Sequence, residues 1–494
     1  MARALRVVQL VVIAQLFEAT LLLGPFAGRA AASEATPRRM AVEARTLPNG
    51  LRVWTQTTPG TSEAHVRLVV QAGSGDEPEN GNGLAHFVEH MIFDHETDPG
   101  IHGLIQKIER EGGYYNAFTT VDMTYAVIDS FTGELEPSLE LLASSLSGSP
   151  FTSDQVEVER QILLRELAEK EDDALMLAVR EQLYGDQPLA RAEGGVPDSI
   201  DRISARQLKA FYQQHYRPPA LVLIVIGDLT TDEINAAVQR TLGKLTWSGH
   251  APPAYGDPER NPGPIQVDDT DRSGTLLHGF VTPGARDPDY YALWVLQEQL
   301  EMRLYDRIRV HRGLSYAPYV YFSPNRREGL LYLDASANES DFGTMADAFD
   351  AELTRVASGE LGADEVEEAR LRVANRFVRE HQSGEDLANH LAWLAGIIDP
   401  GEQPQDPVEP LKRVGRKDLK RVAERWSAAV FRVDARAPAT PALPEPETAG
   451  RVPQAVLWSL SIGFALMLLL ELLILRRMRA LRQTLAASPN AQSK

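Results

Sequence analysis

The sequence predicts an α+β protein of two similar α/β sandwich domains, each an antiparallel-rich sheet packed with helices. From about residue 45, strand-like runs of alternating or continuous apolar residues are separated by amphipathic helical segments. A Gly- and Pro-rich stretch at residues 246–265 interrupts this order, which then resumes up to a closing strand-like run, AAVFRVDAR. We therefore predict one domain over residues 40–248 and a similar one over residues 265–435.

The elements of each predicted domain follow from local periodicity and turn residues. In the first domain, strands are predicted at LRVWTQT, HVRLVVQAG, MTYAVIDS and ALVLIVIGDL, with helices after the turn-rich residues 76–83, over 135–146, from 157 and over 232–245. In the second, LLHGFVTPG and GLLYLDASA are predicted strands, and residues 289–309 are a predicted helix, with further helices up to residue 426.

Composition limits the possible functions. The formal net charge of −19 argues against a nucleic-acid partner, because proteins of that class present a basic face. The chain has no cysteine, which excludes disulfides and leaves histidine and carboxylate side chains as metal ligands. Neither a GxSxG nor a P-loop pattern occurs, so the sequence gives no support to serine-nucleophile or nucleotide chemistry.

The N-terminus predicts export. Arg3 and Arg6 precede an apolar stretch and a run of small residues at 30–32, which is typical of a secretory signal peptide over residues 1–32. Polar residues interrupt the apolar stretch, so an uncleaved amphipathic anchor is the alternative.

The C-terminus predicts membrane attachment. Residues 455–475 form a mostly apolar run, long enough for a transmembrane helix, and a basic tail with four arginines follows at 476–494. The positive-inside rule then puts the tail in the cytoplasm and the domains outside, behind a Pro- and Ala-rich linker at 436–454. We expect a single-pass protein of a bacterial inner membrane with its domains in the periplasm. A buried core helix is the alternative for the apolar run.

One short pattern indicates metal chemistry. His86 and His90 are four residues apart, and positions i and i+4 of a helix share a face, so both imidazoles can bind one metal ion. Glu89 lies on nearly the same face, where it can take a proton from a metal-activated water. H-x-x-E-H is the signature of inverted zincins. A solvated helix with two incidental histidines would give the same letters, and other histidines, such as His102 in an expected loop, show no metal spacing.

A catalytic zinc site needs a third protein ligand, and the acidic helical stretch from residue 157 offers two candidates. Glu159 and Glu166 lie two turns apart on a common helix face. Periodicity does not decide which of them binds metal, and ordinary surface carboxylates would produce the same pattern.

Three segments occur in an order that resembles the pitrilysin/insulinase family of inverted zincins, especially its shorter two-domain members related to mitochondrial processing peptidase. These segments are GLAHFVEHMIF, GGYYNAFTTVDMTY and ERQILLRE. The resemblance covers roughly residues 45–435. It implies one Zn²⁺ per chain, with Glu166 as the third ligand beside His86 and His90 and with Glu159 as a supporting residue.

The resemblance also implies how substrate is held. In the family, the strand with Asn116, Ala117 and Phe118 is an exposed sheet edge beside the zinc, to which an extended peptide can add. Without the resemblance, a turn and strand with no ligand would be the simpler interpretation. RVHRGLSY resembles the family's Arg-Tyr pair, which implies that Arg309 and Tyr316 hydrogen-bond a substrate carbonyl. Spacing alone would allow a surface charge and a strand residue.

The expected function is that of a membrane-anchored zinc metalloendopeptidase acting on internal bonds of extended peptides or unfolded polypeptides, with Glu89 as general base. In the family a closed chamber needs four such domains, which implies a homodimer whose Arg309 and Tyr316 complete the partner's site, or a heterodimer with an inactive relative. The alternative is a non-catalytic scaffold or peptide-binding subunit, since the family contains such members.

Overall fold

The computed structural model describes eight stretches of the chain: residues 40–93, 99–147, 151–169, 174–247, 264–268, 274–399, 402–426 and 430–436. All of them belong to one compact unit of the chain, Met1–Ala437. The predicted signal peptide, transmembrane segment and basic tail, and all but the first residue of the predicted linker, lie outside the described residues. Among the described residues, no helix has the length and apolar character needed to cross a membrane.

The first half of the protein forms a six-stranded sheet with the order β1-β2-β6-β3-β5-β4. Its strands are β1 (Glu43–Thr46), β2 (Arg52–Thr57), β3 (Glu63–Val70), β4 (Tyr114–Thr119), β5 (Thr124–Phe131) and β6 (Leu221–Gly227). Only the β2–β6 pair is parallel, so the sheet is antiparallel-rich as predicted.

Helices accompany this sheet along the chain. They are α1 (Leu84–Phe93), α2 (Pro99–Arg110), α3 (Leu135–Ser147), α4 (Ser153–Glu169), α5 (Ala174–Tyr184), α6 (Pro197–Ile200), α7 (Ala205–His215) and α8 (Thr231–Arg240), with 3₁₀ turns at Ser74–Asp76, Thr132–Glu134, Pro188–Ala190 and Leu242–Lys244. The predicted loop position of His102 is wrong, because this residue lies inside α2.

The second half forms a five-stranded sheet with the order β7-β11-β8-β10-β9. Its strands are β7 (Pro264–Asp268), β8 (Thr275–Pro283), β9 (Tyr319–Pro324), β10 (Glu328–Ser336) and β11 (Val430–Arg436). Its helices are α9 (Tyr290–Leu304), a π-helix at Tyr305–His311, a 3₁₀ turn at Glu339–Asp341, α10 (Phe342–Ser358), α11 (Ala363–Glu380), α12 (Gly384–Ile397), α13 (Val408–Arg413) and α14 (Arg416–Trp426).

The two sheets share one strand order. The order β2-β6-β3-β5-β4 of the first sheet corresponds to β7-β11-β8-β10-β9 of the second. In each order the first pair of strands, β2–β6 or β7–β11, is parallel, and the three pairs that follow are antiparallel. The sequence expectation of two similar halves agrees with this correspondence. It makes β9 the counterpart of β4, and α9 the counterpart of α1.

Strand β6 shows why its sequence is a continuous apolar run. Leu223 and Val225 belong to the core shared with the helices of the first half, whereas Ile224 and Ile226 belong to a core shared with α12. A strand covered on both faces has no polar face, so its sequence does not alternate. Helix α12 comes from the second half of the chain and thereby joins the two halves.

Candidate metal centre

Three side chains of the first half converge. Helix α1 places the rings of His86 and His90 with centroids 4.8 Å apart. Glu166 of α4 brings Oε1 to 3.7 Å from His86 Nε2 and Oε2 to 3.2 Å from His90 Nε2. One potential ligand atom from each residue lies within 4.8 Å of the other two. Among the described residues, no other group of three such side chains converges in this way.

Burial leaves one side of this cluster accessible. All ten residues of α1 are buried, because the helix contacts α4, α7 and β4. His86 and His90 are 7% and 5% exposed, whereas the Glu166 side chain is 38% exposed. A catalytic zinc site keeps one coordination position for water or substrate, and the Glu166 side offers that opening.

Each histidine has an oxygen behind it. His86 Nδ1 lies 3.4 Å from the carbonyl oxygen of Gly194, and His90 Nδ1 lies 3.7 Å from Oε2 of the buried Glu159. An Nδ1–H directed at an oxygen leaves Nε2 with its lone pair, and both Nε2 atoms face Glu166. Two imidazole nitrogens and one carboxylate with this support are a donor set that fits zinc. Thus the structure brings Glu166 to the ligand position and Glu159 behind it.

Glu89 is held beside the cluster by the sheet. Its carboxylate is 4% exposed, and Oε2 accepts a hydrogen bond of 2.5 Å from Thr119 Oγ1. Thr119 is the last residue of β4, and its hydroxyl lies 3.3 Å from that of Thr124 at the start of β5. The sequence alone does not point to Thr119, although this residue lies one position after the predicted substrate segment.

A buried carboxylate caps α1, the helix that carries His86 and His90. Glu77 accepts from the backbone N–H groups of Gly83 at 3.1 Å and Ala85 at 2.8 Å, which are donors left without partners at a helix N-terminus. Burial raises the pKa of Glu77 to about 8, and the hydrogen bonds from Ala85 and Gly83 act in the opposite direction. The sequence has an acidic residue before the helix, but only the fold shows that it caps the first turn of α1, which contains His86.

Glycines allow the loop after α5 to approach α1. Gly83 and Gly195 both have positive φ, +88° and +85°. A Cβ on Gly195 would lie 2.6 Å from Gly83 Cα, and one on Gly83 would lie 2.9 Å from Gly195 Cα. This close backbone contact carries the neighbouring Gly194 carbonyl to His86.

The predicted substrate residues lie on an edge strand. Among the described strands β4 pairs only with β5, in a register that sets Asn116 opposite Val127. Asn116 Oδ1 accepts from the N–H of Ala117 at 2.8 Å. Phe118 is 39% exposed, and its ring contacts that of Tyr125 in a tilted arrangement with centroids 5.3 Å apart. The C-terminal residue of β4 is Thr119, which donates a hydrogen bond to Glu89.

Arg309 and Tyr316 form a pair of their own. The guanidinium carbon of Arg309, on the π-helix, lies 4.1 Å from the ring centroid of Tyr316 and 5.2 Å from that of Tyr305. Tyr316 is 80% exposed. Within the described part of one chain, neither side chain makes a hydrogen bond, ion pair or ring contact with His86, His90 or Glu166. The structure therefore does not bring the pair into the cluster.

Two family models match the chain. Residues 52–193 match the model described as insulinase, peptidase family M16, and residues 202–373 match the one described as the peptidase M16 inactive domain. The metal cluster lies in the first of these regions.

The chain is also similar to individual proteins of known sequence or structure. An uncharacterised zinc protease of Mycobacterium leprae is 32% identical over 346 residues, which is 68% of this chain and 76% of that protein. A probable mitochondrial-processing peptidase subunit beta of Arabidopsis thaliana is 28% identical over 52% of this chain and 49% of its own length. The crystal structure of a protease from Helicobacter pylori has the same fold, with a TM-score of 0.69 at 21% identity over 80% of this chain and 99% of that one.

Proposed function

The chain belongs to the insulinase family, peptidase family M16, and on this premise we propose that it is a zinc metalloendopeptidase acting on extended peptides or unfolded polypeptides. The family relationship supports a metallopeptidase in general. The observation that carries the specific proposal is the convergence of His86, His90 and Glu166, with Glu89 held beside them by Thr119.

His86 Nε2, His90 Nε2 and Glu166 would hold the zinc ion, which when bound polarises a peptide carbonyl and lowers the pKa of a water molecule. Glu89 would act as the general base that takes a proton from the attacking water and delivers it to the leaving amine. Thr119 donates to Oε2 of Glu89 and thereby holds this carboxylate in place beside the cluster. Glu159 and the Gly194 carbonyl keep the histidine rings in the ligating orientation.

The edge strand β4 supports the choice of substrate. An extended peptide can add to the open edge near Asn116, Ala117 and Phe118, so its backbone supplies most of the affinity. The strand ends at Thr119, which directs an added peptide towards Glu89. This mode of binding predicts broad tolerance of substrate sequence.

For Arg309 and Tyr316 we propose a role across a dimer, as in the sequence expectation. Their side chains contact each other, Tyr316 is 80% exposed and Arg309 is half-buried, so the tyrosine is available to a second copy of the chain. Mixing Glu89→Gln protomers with Tyr316→Phe protomers tests this. Recovery of cleavage in the mixture is expected; activity no higher than that of either variant alone would indicate action within one chain or a heterodimer with an inactive relative.

We also propose that residues 455–475 anchor the protein in a bacterial inner membrane, with the catalytic halves in the periplasm. The apolar run and the arginines after it support this topology. Fractionation should place the full chain with membranes and a chain ending at residue 450 in the soluble fraction. Equal solubility of the two chains would contradict the anchor.

The second candidate is a non-catalytic peptide-binding subunit. It is favoured by the match of the second half to a model described as an inactive domain. In that half, α9 carries Glu298, whose carboxylate forms ion pairs with Arg372 and Arg376 of α11. Glu298 is thus held in ion pairs, whereas the complete donor set of the first half favours catalysis.

Zinc removal tests the proposal. The full chain is treated with a chelator, and cleavage of a quenched unstructured peptide is followed before and after zinc is restored. We expect cleavage to disappear with the metal and to return with about one zinc ion per chain. Cleavage that is indifferent to the chelator would exclude zinc catalysis, and zinc binding without cleavage would favour the second candidate.

A further inference from the structure

The two halves meet through corresponding hairpin turns. In the shared strand order, the β4–β5 turn (residues 120–123) corresponds to the β9–β10 turn (residues 325–327). The backbone N–H of Arg326 donates to Asp122 Oδ2 at 2.5 Å, and its guanidinium donates to the Asp122 carbonyl oxygen. Arg326 Nε also donates to the carbonyl oxygen of Gly396 at 3.1 Å, which ties the turn to the end of α12.

The same turn holds a second aspartate. Arg327 Nη2 lies 3.4 Å from Asp76 Oδ1 and 3.4 Å from the Gly75 carbonyl oxygen, and Arg326 Nη1 lies 3.8 Å from Asp76 Oδ2. The side chain of Asp76 is 4% exposed, and those of Arg326 and Arg327 are 12% and 18% exposed. Charges buried to this extent are poorly screened by water and keep a fixed arrangement.

Asp76 is linked to α1 through its neighbour in the chain. Its chain neighbour Glu77 caps α1 through the N–H groups of Gly83 and Ala85. A shift of residues 75–77 would therefore move the Glu77 carboxylate, which accepts from the first turn of α1. His86 is the residue that follows Ala85 in that turn.

Asp122 is linked to the general base. It lies in the turn that follows Thr119, the donor to Glu89. The two links are joined, because the N–H groups of Ser74 and Gly75 donate to the carbonyl oxygens of Thr120 and Val121 at 2.9 and 2.8 Å. Arg326 and Arg327 of the β9–β10 turn thus contact two segments that are hydrogen-bonded to each other: the segment that caps α1 and the turn after β4.

We propose that Arg326 and Arg327 are positioning residues of the metal centre. Through their contacts with Asp76 and Asp122, these two residues of the second half fix the geometry of the cluster in the first half. This inference rests on the proposed function, since the geometry of α1 and Glu89 matters only if the cluster binds zinc.

Zinc affinity and metal spectroscopy test the proposal without any need for cleavage. In the full chain, Arg327→Gln is expected to raise the zinc Kd about tenfold in chelator competition, in the range found when groups behind metal ligands are removed. It should also alter the visible absorption of the cobalt-substituted protein. Arg327→Lys, which keeps the charge near Asp76, should restore most of both values. With Glu77→Gln, the combined effect should be smaller than the sum, because both act through the same cap.

Arg432→Gln is the matched control. Arg432, like Arg327, is a partly buried arginine of the second half that pairs with an aspartate, Asp434 at 2.8 Å, but that pair lies on β11. It should leave zinc Kd and cobalt spectrum unchanged. If Arg327→Gln does not fold, Asp122→Asn is measured in its place. Wild-type zinc affinity and spectrum in the folded variants would overturn the positioning role alone; absence of zinc binding by the wild type would overturn the proposed function as well.

Discussion

At the scale of single residues, the chemistry of this protein depends on which oxygen faces which histidine nitrogen. Glu159 and Glu166 lie on one face of α4, but Glu166 faces both Nε2 atoms and Glu159 faces only Nδ1 of His90. A carboxylate on the ligating side binds the metal, whereas one behind the ring orients it. Two glutamates seven positions apart on one helix therefore have two distinct roles.

Substitution of these two glutamates should give different results. Glu166→Gln is expected to abolish stoichiometric zinc binding, because a ligand is lost. Glu159→Gln should retain zinc with an affinity reduced by about 10- to 100-fold, as for groups behind metal ligands. Zinc content and chelator competition measure both effects, with Glu157→Gln on the exposed part of α4 as control. Loss of zinc in Glu159→Gln alone would reverse the assignment.

Thr119 should affect the rate and not the metal. Thr119→Val removes the donor to Glu89 Oε2, and a hydrogen bond to a charged group contributes about 1.5–3 kcal/mol, so kcat should fall about 10- to 100-fold. Zinc content should not change. Thr120→Val is the control, since Thr120 Oγ1 donates to the Met123 carbonyl oxygen within the turn. Equal kcat in the two variants would exclude a role for Thr119.

At the scale of elements, α1 shows what a sequence can predict. Its i, i+4 histidines required only helical geometry, and the predicted site residues on α1 and α4 do come together. The choice of Glu166 over Glu159 came from family resemblance, because periodicity puts both on one face. Gly194 was not predictable, because it lies 108 residues from His86 and meets it only through tertiary packing.

Other elements departed from local expectation for physical reasons. The helix predicted over residues 289–309 is α-helical to Leu304 and continues as a π-helix, Tyr305–His311, which carries Arg309. Periodicity does not distinguish the two hydrogen-bond patterns over one or two turns. The contact of Arg326 with Asp122 was missed because it joins residues that are distant in the chain. The cap from Glu77 was missed because its acceptor lies six and eight residues before the N–H groups it binds, and not at the residue next to the helix.

The loop that supports His86 should be sensitive to a single methyl group. Gly195→Ala combines a positive φ with a Cβ only 2.6 Å from Gly83 Cα, and we expect a loss of about 2 kcal/mol or more in unfolding free energy, with weaker zinc binding. Gly185→Ala is the matched control: φ is +59°, and nothing lies within 4 Å of its Cβ. Urea unfolding compares them. Equal losses would indicate backbone strain alone.

At the scale of the whole molecule, buried histidines link folding to pH. Burial lowers the pKa of His390 to about 3 and that of His215 to about 4, whereas the unfolded chain titrates near 6.5. Both are therefore neutral in the folded protein across the neutral range. The stability that this difference represents is fully present above pH 6.5 and is lost as pH falls towards the folded-state pKa values.

Acid should destabilise the protein through these residues. Each histidine should remove about 1 kcal/mol of unfolding free energy per pH unit below 6.5. Urea unfolding at pH 7, 6 and 5, with a chelator present, measures the slope. His390→Phe should show a shallower slope than the wild type, because His390 already packs among the rings of Phe377 and Trp393, where an aromatic ring fits. Parallel slopes would exclude His390 as the source.

The central claim is that Glu89 moves the proton at a metal centre formed by His86, His90 and Glu166. The measurement is cleavage of a quenched unstructured peptide by the full chain and by Glu89→Gln, with zinc content determined on the same samples. We expect both proteins to hold one zinc ion per chain and the variant to cleave the peptide about 10²- to 10⁴-fold more slowly. Cleavage by the variant at the wild-type rate, with zinc bound to both, would contradict the claim.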